Sequence, residues 1–142
     1  MLFIHPALQL LATGVALYAL YLGINRILLL HFHQKTLFHW KHHVYMGSAS
    51  LILWIAGIFG GISMVYRYWD SFLMTGAHGR TALAMLPLLL FGLISGFYMH
   101  RVKKKRTYLP LLHGLNNLAV IILAFFQIRT GWWVLTVYVL GG

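Results

Sequence analysis

The stretch "HHVYMGSASLILWIAGIFGGISMVY", residues 42–66, opens on two histidines and then runs through apolar and small residues without a single charge. About 20 residues of helix are needed to cross the hydrocarbon core of a bilayer. A segment of this kind must be helical, because lipid offers no partner to a free backbone N–H or C=O. Residues 44–66 therefore read as a spanning helix with histidine at its mouth. Three other stretches repeat the form, at about residues 3–30, 81–99 and 109–138.

Composition agrees. Of 142 residues, 61% are hydrophobic and 8% charged, where a soluble domain carries about 25% charged residues. Asp70 is the only acid. The expected fold class is all-α, an integral membrane four-helix bundle threaded up and down as one domain over residues 1–142. The first stretch has neither a basic leader nor a small-residue cleavage site, so it is expected to be a retained helix.

Charge gives the expected orientation. Arg26, Lys35, Lys41, Arg101, Lys103, Lys104, Lys105 and Arg106 lie on the connections after the first and third helices, and only Arg67, Arg80 and Arg129 on the other side. By the positive-inside rule the "RVKKKR" side is cytoplasmic, with both termini outside. The net charge of +10 is then a matter of topology and anionic lipid, so membrane lipid is an expected partner and nucleic acid is not. The absence of cysteine excludes disulfides, thiolate-held iron–sulfur clusters and covalent haem attachment. Any metal must rest on histidine, methionine or the one carboxylate.

His5, His43, His78 and His113 each open a different apolar stretch, 38, 35 and 35 residues apart. Offsets of 4, 7, 11, 14 and 18 from each histidine share one helix face. That face reads His5, Gln9, Ala12, Ala16, Ala19, Gly23 in the first helix and His43, Gly47, Ser50, Trp54, Gly57, Gly61 in the second. It continues as His78, Ala82, Met85, Leu89, Gly92, Gly96 in the third and His113, Asn117, Val120, Ala124, Gln127, Gly131 in the fourth. Small residues on such a face suit close helix packing. Packing alone gives no reason for the histidines, and an ionisable side chain within a membrane segment points to function.

In an up-down bundle, helices one and three face each other diagonally, as do two and four. His5 would then meet His78 near the outer surface, and His43 would meet His113 near the cytoplasmic one. Two facing imidazoles at one level suit the axial positions of a haem. Offset 18 is about 27 Å along a helix, so Gly61 and Gly131 reach the outer pair and Gly23 and Gly96 the cytoplasmic pair. A flat macrocycle needs that missing side chain. His42 and His100 stand in reserve for His43. However, His42 is followed at offset 4 by Met46 where His43 has Gly47, and His100 lies about 33 Å beyond His78. Arg67 and Arg80 are candidate propionate donors, and Asn117, Asn116, Gln9 and Gln127 candidate partners for an imidazole's second nitrogen.

The string "HWKHH" also has the HxxHH form of a histidine box in membrane di-iron oxidases and hydroxylases, although no second box of that form occurs. A cofactor-free membrane anchor for a larger complex is the third reading.

Four short motifs, "HPALQ" at His5, "HVYMG" at His43, "AHGRTALAM" at His78 and "HGLNN" at His113, resemble the small four-helix b-type cytochromes of the cytochrome b561 and ferric-reductase-like group. The likeness is greatest to a bacterial branch whose members begin with "HP". The resemblance implies two haems b held by histidine pairs from alternate helices near opposite faces, passing electrons across the membrane. It implies a quinone, or a periplasmic or cytoplasmic redox protein, as partner. This chain carries no flavin or nicotinamide domain and no evident ascorbate site, so no named reductase activity follows.

Overall fold

The computed structural model describes residues 2–141. Its elements are four helices, α1 (Ile4–His31), α2 (Trp40–Trp69), α3 (Ala77–Arg101) and α4 (Tyr108–Tyr138). Each is long and apolar enough to cross a membrane, which makes this a multi-pass membrane protein. α2 and α3 both begin four residues earlier than hydropathy alone suggests. Hydropathy stops where polar side chains begin, whereas a helix continues while its backbone bonds can be made, and a polar first turn makes them as well as an apolar one. His43 and His78 consequently sit inside their helices, the His43 N–H donating to the His39 carbonyl at 3.0 Å.

α1 packs on α2 and α4, and α3 packs on the same two, while neither diagonal pair of backbones comes close. The start of α1 meets the end of α2, and the start of α3 meets the end of α4, so neighbours are antiparallel. The result is a squared bundle whose two open diagonals are spanned by side chains alone.

The buried core lies midway along the bundle and consists of Ala12, Ala16, Leu51, Trp54, Met85, Leu89, Val120, Ile121 and Ala124. Seven of these nine, all but Leu51 and Ile121, belong to the face read from histidine periodicity. Large apolar side chains such as Leu11, Ile52, Phe59, Ile94, Ile122 and Phe125 project outward around the belt, each more than half exposed. In water each would forfeit the roughly 1.5–3 kcal/mol that burial brings, so lipid is their natural surrounding.

Small residues let the hairpins close tightly. Gln9 of α1 occupies the space left by Gly57 of α2, and Asn117 of α4 fills that left by Gly92 of α3. Asn116 ties α4 to α3 by donating to the Leu88 carbonyl at 2.9 Å, one residue past Pro87, the proline inside α3.

Candidate functional site

His5 and His78 meet across one diagonal with ring centres 6.4 Å apart and ring planes at 87°. His43 and His113 meet across the other, at the opposite end, with the same 6.4 Å spacing and planes at 71°. The pairing expected from periodicity is thus the pairing that the bundle brings together.

Each ring lies against a glycine of its hairpin neighbour. A Cβ built on Gly61 would stand 3.1 Å from His5, one on Gly131 3.1 Å from His78, one on Gly23 3.3 Å from His43 and one on Gly96 3.2 Å from His113. All four distances are shorter than ordinary carbon contacts of about 3.5–4.0 Å. The glycines therefore make room for the imidazoles themselves, a role more direct than the expected one of clearing space for a macrocycle.

Three of the four Nδ1 atoms meet an oxygen of the protein. His43 Nδ1 lies 2.9 Å from the carbonyl of Ala19, which can only accept, so Nδ1 carries the proton and Nε2 is bare. His113 Nδ1 is 2.8 Å from Ser95 Oγ, and the Ser95 hydroxyl is already donating to the Phe91 carbonyl at 2.6 Å, so the ring again donates. His78 Nδ1 is 3.1 Å from Thr130 Oγ1, whose own proton is directed to the Phe126 carbonyl and Gln127. This is the arrangement of metal-ligating histidines, in which a hydrogen bond to one nitrogen fixes the tautomer and leaves the other for the metal.

These partners differ from those expected. Gln127 donates to the His78 backbone carbonyl at 3.1 Å and also neighbours the His78 ring, while Asn117 donates to the His113 carbonyl at 2.8 Å without reaching a ring. Gln9 donates to the Leu53 carbonyl at 3.5 Å. The residues missed are Ser95 and Thr130, and the signal was present: each stands immediately before the glycine that receives a histidine, as "SG" and "TG". The carbonyl of Ala19 left no signal, because every residue has one.

Among the described residues no three or more His, Cys, Asp or Glu gather as ligands for a bare ion. Structural zinc takes about four protein ligands and a catalytic zinc about three, whereas a haem brings its own four equatorial nitrogens and asks for one or two. Two imidazoles on opposite sides of one metal, with metal–nitrogen bonds of about 2.0 Å and ring nitrogens about 1.1 Å from the ring centres, would have those centres about 6.2 Å apart. Both pairs fit that span. At the His5/His78 end they also border a cavity of about 210 Å³ that reaches Trp54, Gly57, Gly61 and Gly131.

The other histidines lie apart. His42 is exposed with its ring 5.8 Å from that of His39, and His100 lies 5.5 Å from Trp40 at the edge of the bundle. "HWKHH" therefore does not close into a ligand box. Arg67 and Arg80 are exposed at the His5/His78 end, Arg67 beside a groove of about 340 Å³ between α1 and α2. At the far end Arg26 covers Phe38 at 5.4 Å, and Lys103 covers Trp40 at 4.4 Å.

No family model, curated protein or solved structure matches this chain.

Proposed function

We propose that the protein is a transmembrane cytochrome with two bis-histidine b haems, moving electrons between a donor on one side of the membrane and an acceptor on the other. The observation that carries this reading is the repetition of one geometry at both ends of the bundle: a diagonal histidine pair spaced for a single metal, each ring set against a glycine. Neither a packing role nor a histidine box requires that repetition. The likeness to four-helix b-type cytochromes points the same way.

His5 and His78 would hold one haem and His43 and His113 the other, and haem bound there supplies one-electron chemistry at iron. The protein's part is to fix the ligands. Ala19, Ser95 and Thr130 hold three of the rings in the tautomer that exposes Nε2. The apolar midsection around Trp54, Met85 and Leu89 keeps water out between the two levels. If each pair held iron by both imidazoles, the protein would leave no open place there for substrate, which favours electron transfer over oxygen chemistry. We place the His43/His113 end at the cytoplasmic face of a bacterial inner membrane, on the charge distribution, with a quinol or a cytoplasmic dehydrogenase as donor and a periplasmic redox protein as acceptor.

A pyridine haemochrome assay on protein purified in detergent tests the reading. The expected result is two b haems per chain, whose reduced-minus-oxidised spectrum is of the low-spin, six-coordinate kind. Protein that is folded and helical yet takes up no haem during expression or reconstitution would overturn it.

A further inference from the structure

The two histidine pairs differ in what holds them. At the His43/His113 end both rings donate short hydrogen bonds, 2.9 Å to the Ala19 carbonyl and 2.8 Å to Ser95 Oγ. Both Ser95 and Thr130 give their own proton away, but Ser95 does so at 2.6 Å to the Phe91 carbonyl and Thr130 at 3.1 Å to that of Phe126. The shorter donation strengthens more what the oxygen accepts. At the His5/His78 end the bond from His78 to Thr130 Oγ1 is longer, 3.1 Å, with Gln127 as a further polar neighbour of that ring. Among the described residues the His5 ring makes none.

A hydrogen bond donated from Nδ1 pushes electron density toward Nε2 and makes the imidazole a stronger ligand for the more positive oxidation state. Second-sphere hydrogen bonding is one of the levers that set a haem's reduction potential. Positive charge works in the opposite sense by favouring the reduced state, and Arg26 stands three residues beyond Gly23 at the His43/His113 end. Its charge reaches both rings of that pair, but it is exposed over Phe38, where water and salt weaken it; Arg67, Arg80 and Arg129 are exposed toward the other end. The hydrogen bonds act on the ligand rings directly, within the low dielectric of the bundle.

We infer that His43 and His113 hold the lower-potential haem and His5 and His78 the higher, so that electrons come to rest at the His5/His78 end, with Ser95 as the positioning residue that sets the difference. This rests on the di-haem reading above. It assigns a direction, from the "RVKKKR" face toward the face bearing Asp70.

The test is a spectroelectrochemical titration of the purified holo-protein. Two one-electron components are expected in the parent. Ser95→Ala should move only the lower one upward, changing the ferric-to-ferrous ratio at fixed ambient potential by about tenfold, or about 59 mV for one electron. Ser95→Thr, which keeps the hydroxyl, should leave it in place. Thr130→Val should move only the higher component, and by less. His78→Ala should abolish the higher component and spare the lower. Coincident midpoints, loss of the lower component in His78→Ala, or Ser95→Ala that keeps both haems without moving the lower midpoint would each overturn the inference. A parent protein without haem would instead overturn the functional reading on which it depends.

Discussion

Gly60 and Gly61 are neighbours on α2, and replacing each by alanine separates what the fold asks of glycine from what the site asks. A methyl on Gly60 meets nothing within 4 Å, whereas one on Gly61 stands 3.1 Å from His5 Cε1. Alanine in a helix interior is favoured over glycine by about 0.5–1 kcal/mol, which both variants gain. Gly61→Ala must in addition push the His5 ring by a few tenths of an ångström. Crowding a methyl into a packed position costs about 1–3 kcal/mol. Gly60→Ala should therefore be neutral or slightly stabilising, while Gly61→Ala falls below it by about 1–3 kcal/mol, most of it felt at His5. Thermal unfolding in one detergent, followed by circular dichroism, measures the first difference, and haem content per chain measures the second. Gly61→Ala should retain the His43/His113 haem and lose part or all of the other. Equal stability and equal haem content in the two variants would refute the argument that the glycine exists for the imidazole.

Three further outcomes follow from the same geometry. His43→Ala should remove one haem and His42→Ala neither, by pyridine haemochrome, because His42 is exposed beside His39 while His43 faces His113. Gly92→Ala should destabilise the protein by about 1–3 kcal/mol, since a Cβ there would stand 2.6 Å from Asn117 Oδ1, and Asn117→Ala should relieve most of it, giving a coupling of about 0.5–3 kcal/mol in a double-mutant cycle of thermal stability. As the chain has no cysteine, single cysteines at Lys104 and Ser71 can report topology by impermeant thiol labelling: Lys104 should label only from the cytoplasmic side and Ser71 only from the opposite side.

The histidine face of each helix was legible because a period of 3.6 residues carries through a bundle whose inner stripe is narrow. Ala12, Ala16, Trp54, Met85, Leu89, Val120 and Ala124, read as one face from spacing alone, are all buried. Offset-18 glycines could be assigned to the correct end from rise per residue, and each lies against the ring expected at its level. What escaped was anything set by side-chain reach or by backbone. Gln127 and Asn117 looked like partners for ring nitrogens, yet Gln127 reaches across from α4 to donate to the His78 carbonyl in α3, and Asn117 turns back along α4 to the His113 carbonyl. The first turns of α2 and α3 escaped because hydropathy measures solvent preference, while helix ends follow hydrogen bonding.

Each histidine pair takes one ring from the α1–α2 hairpin and one from the α3–α4 hairpin. Repetition runs through both hairpins: His5 and Gly23 recur 73 residues later as His78 and Gly96, and His43 and Gly61 recur 70 residues later as His113 and Gly131. Glycine contacts to the rings fall within a hairpin, so neither hairpin relies on the other to position its own imidazoles. Ligation of the proposed haems, by contrast, would cross the seam between them. A ligand bound only by the assembled form stabilises assembly by RT ln(1 + [L]/Kd), about 2.7 kcal/mol at a hundredfold excess over Kd. Two such groups, one at each end, would clamp the hairpins together where the helix packing itself is thinner, above all along α1 and α4. Removing haem should then loosen the α1–α4 seam before it loosens either hairpin. Hydrogen–deuterium exchange on holo- and apo-protein in the same detergent would show this as faster exchange toward the helix ends on the α1 and α4 sides of the seam, with α1–α2 contacts around Gln9 and Gly57 protected in both forms. Uniform loss of protection across all four helices would mean that the hairpins are not independent units, and that the duplication is one of sequence pattern alone.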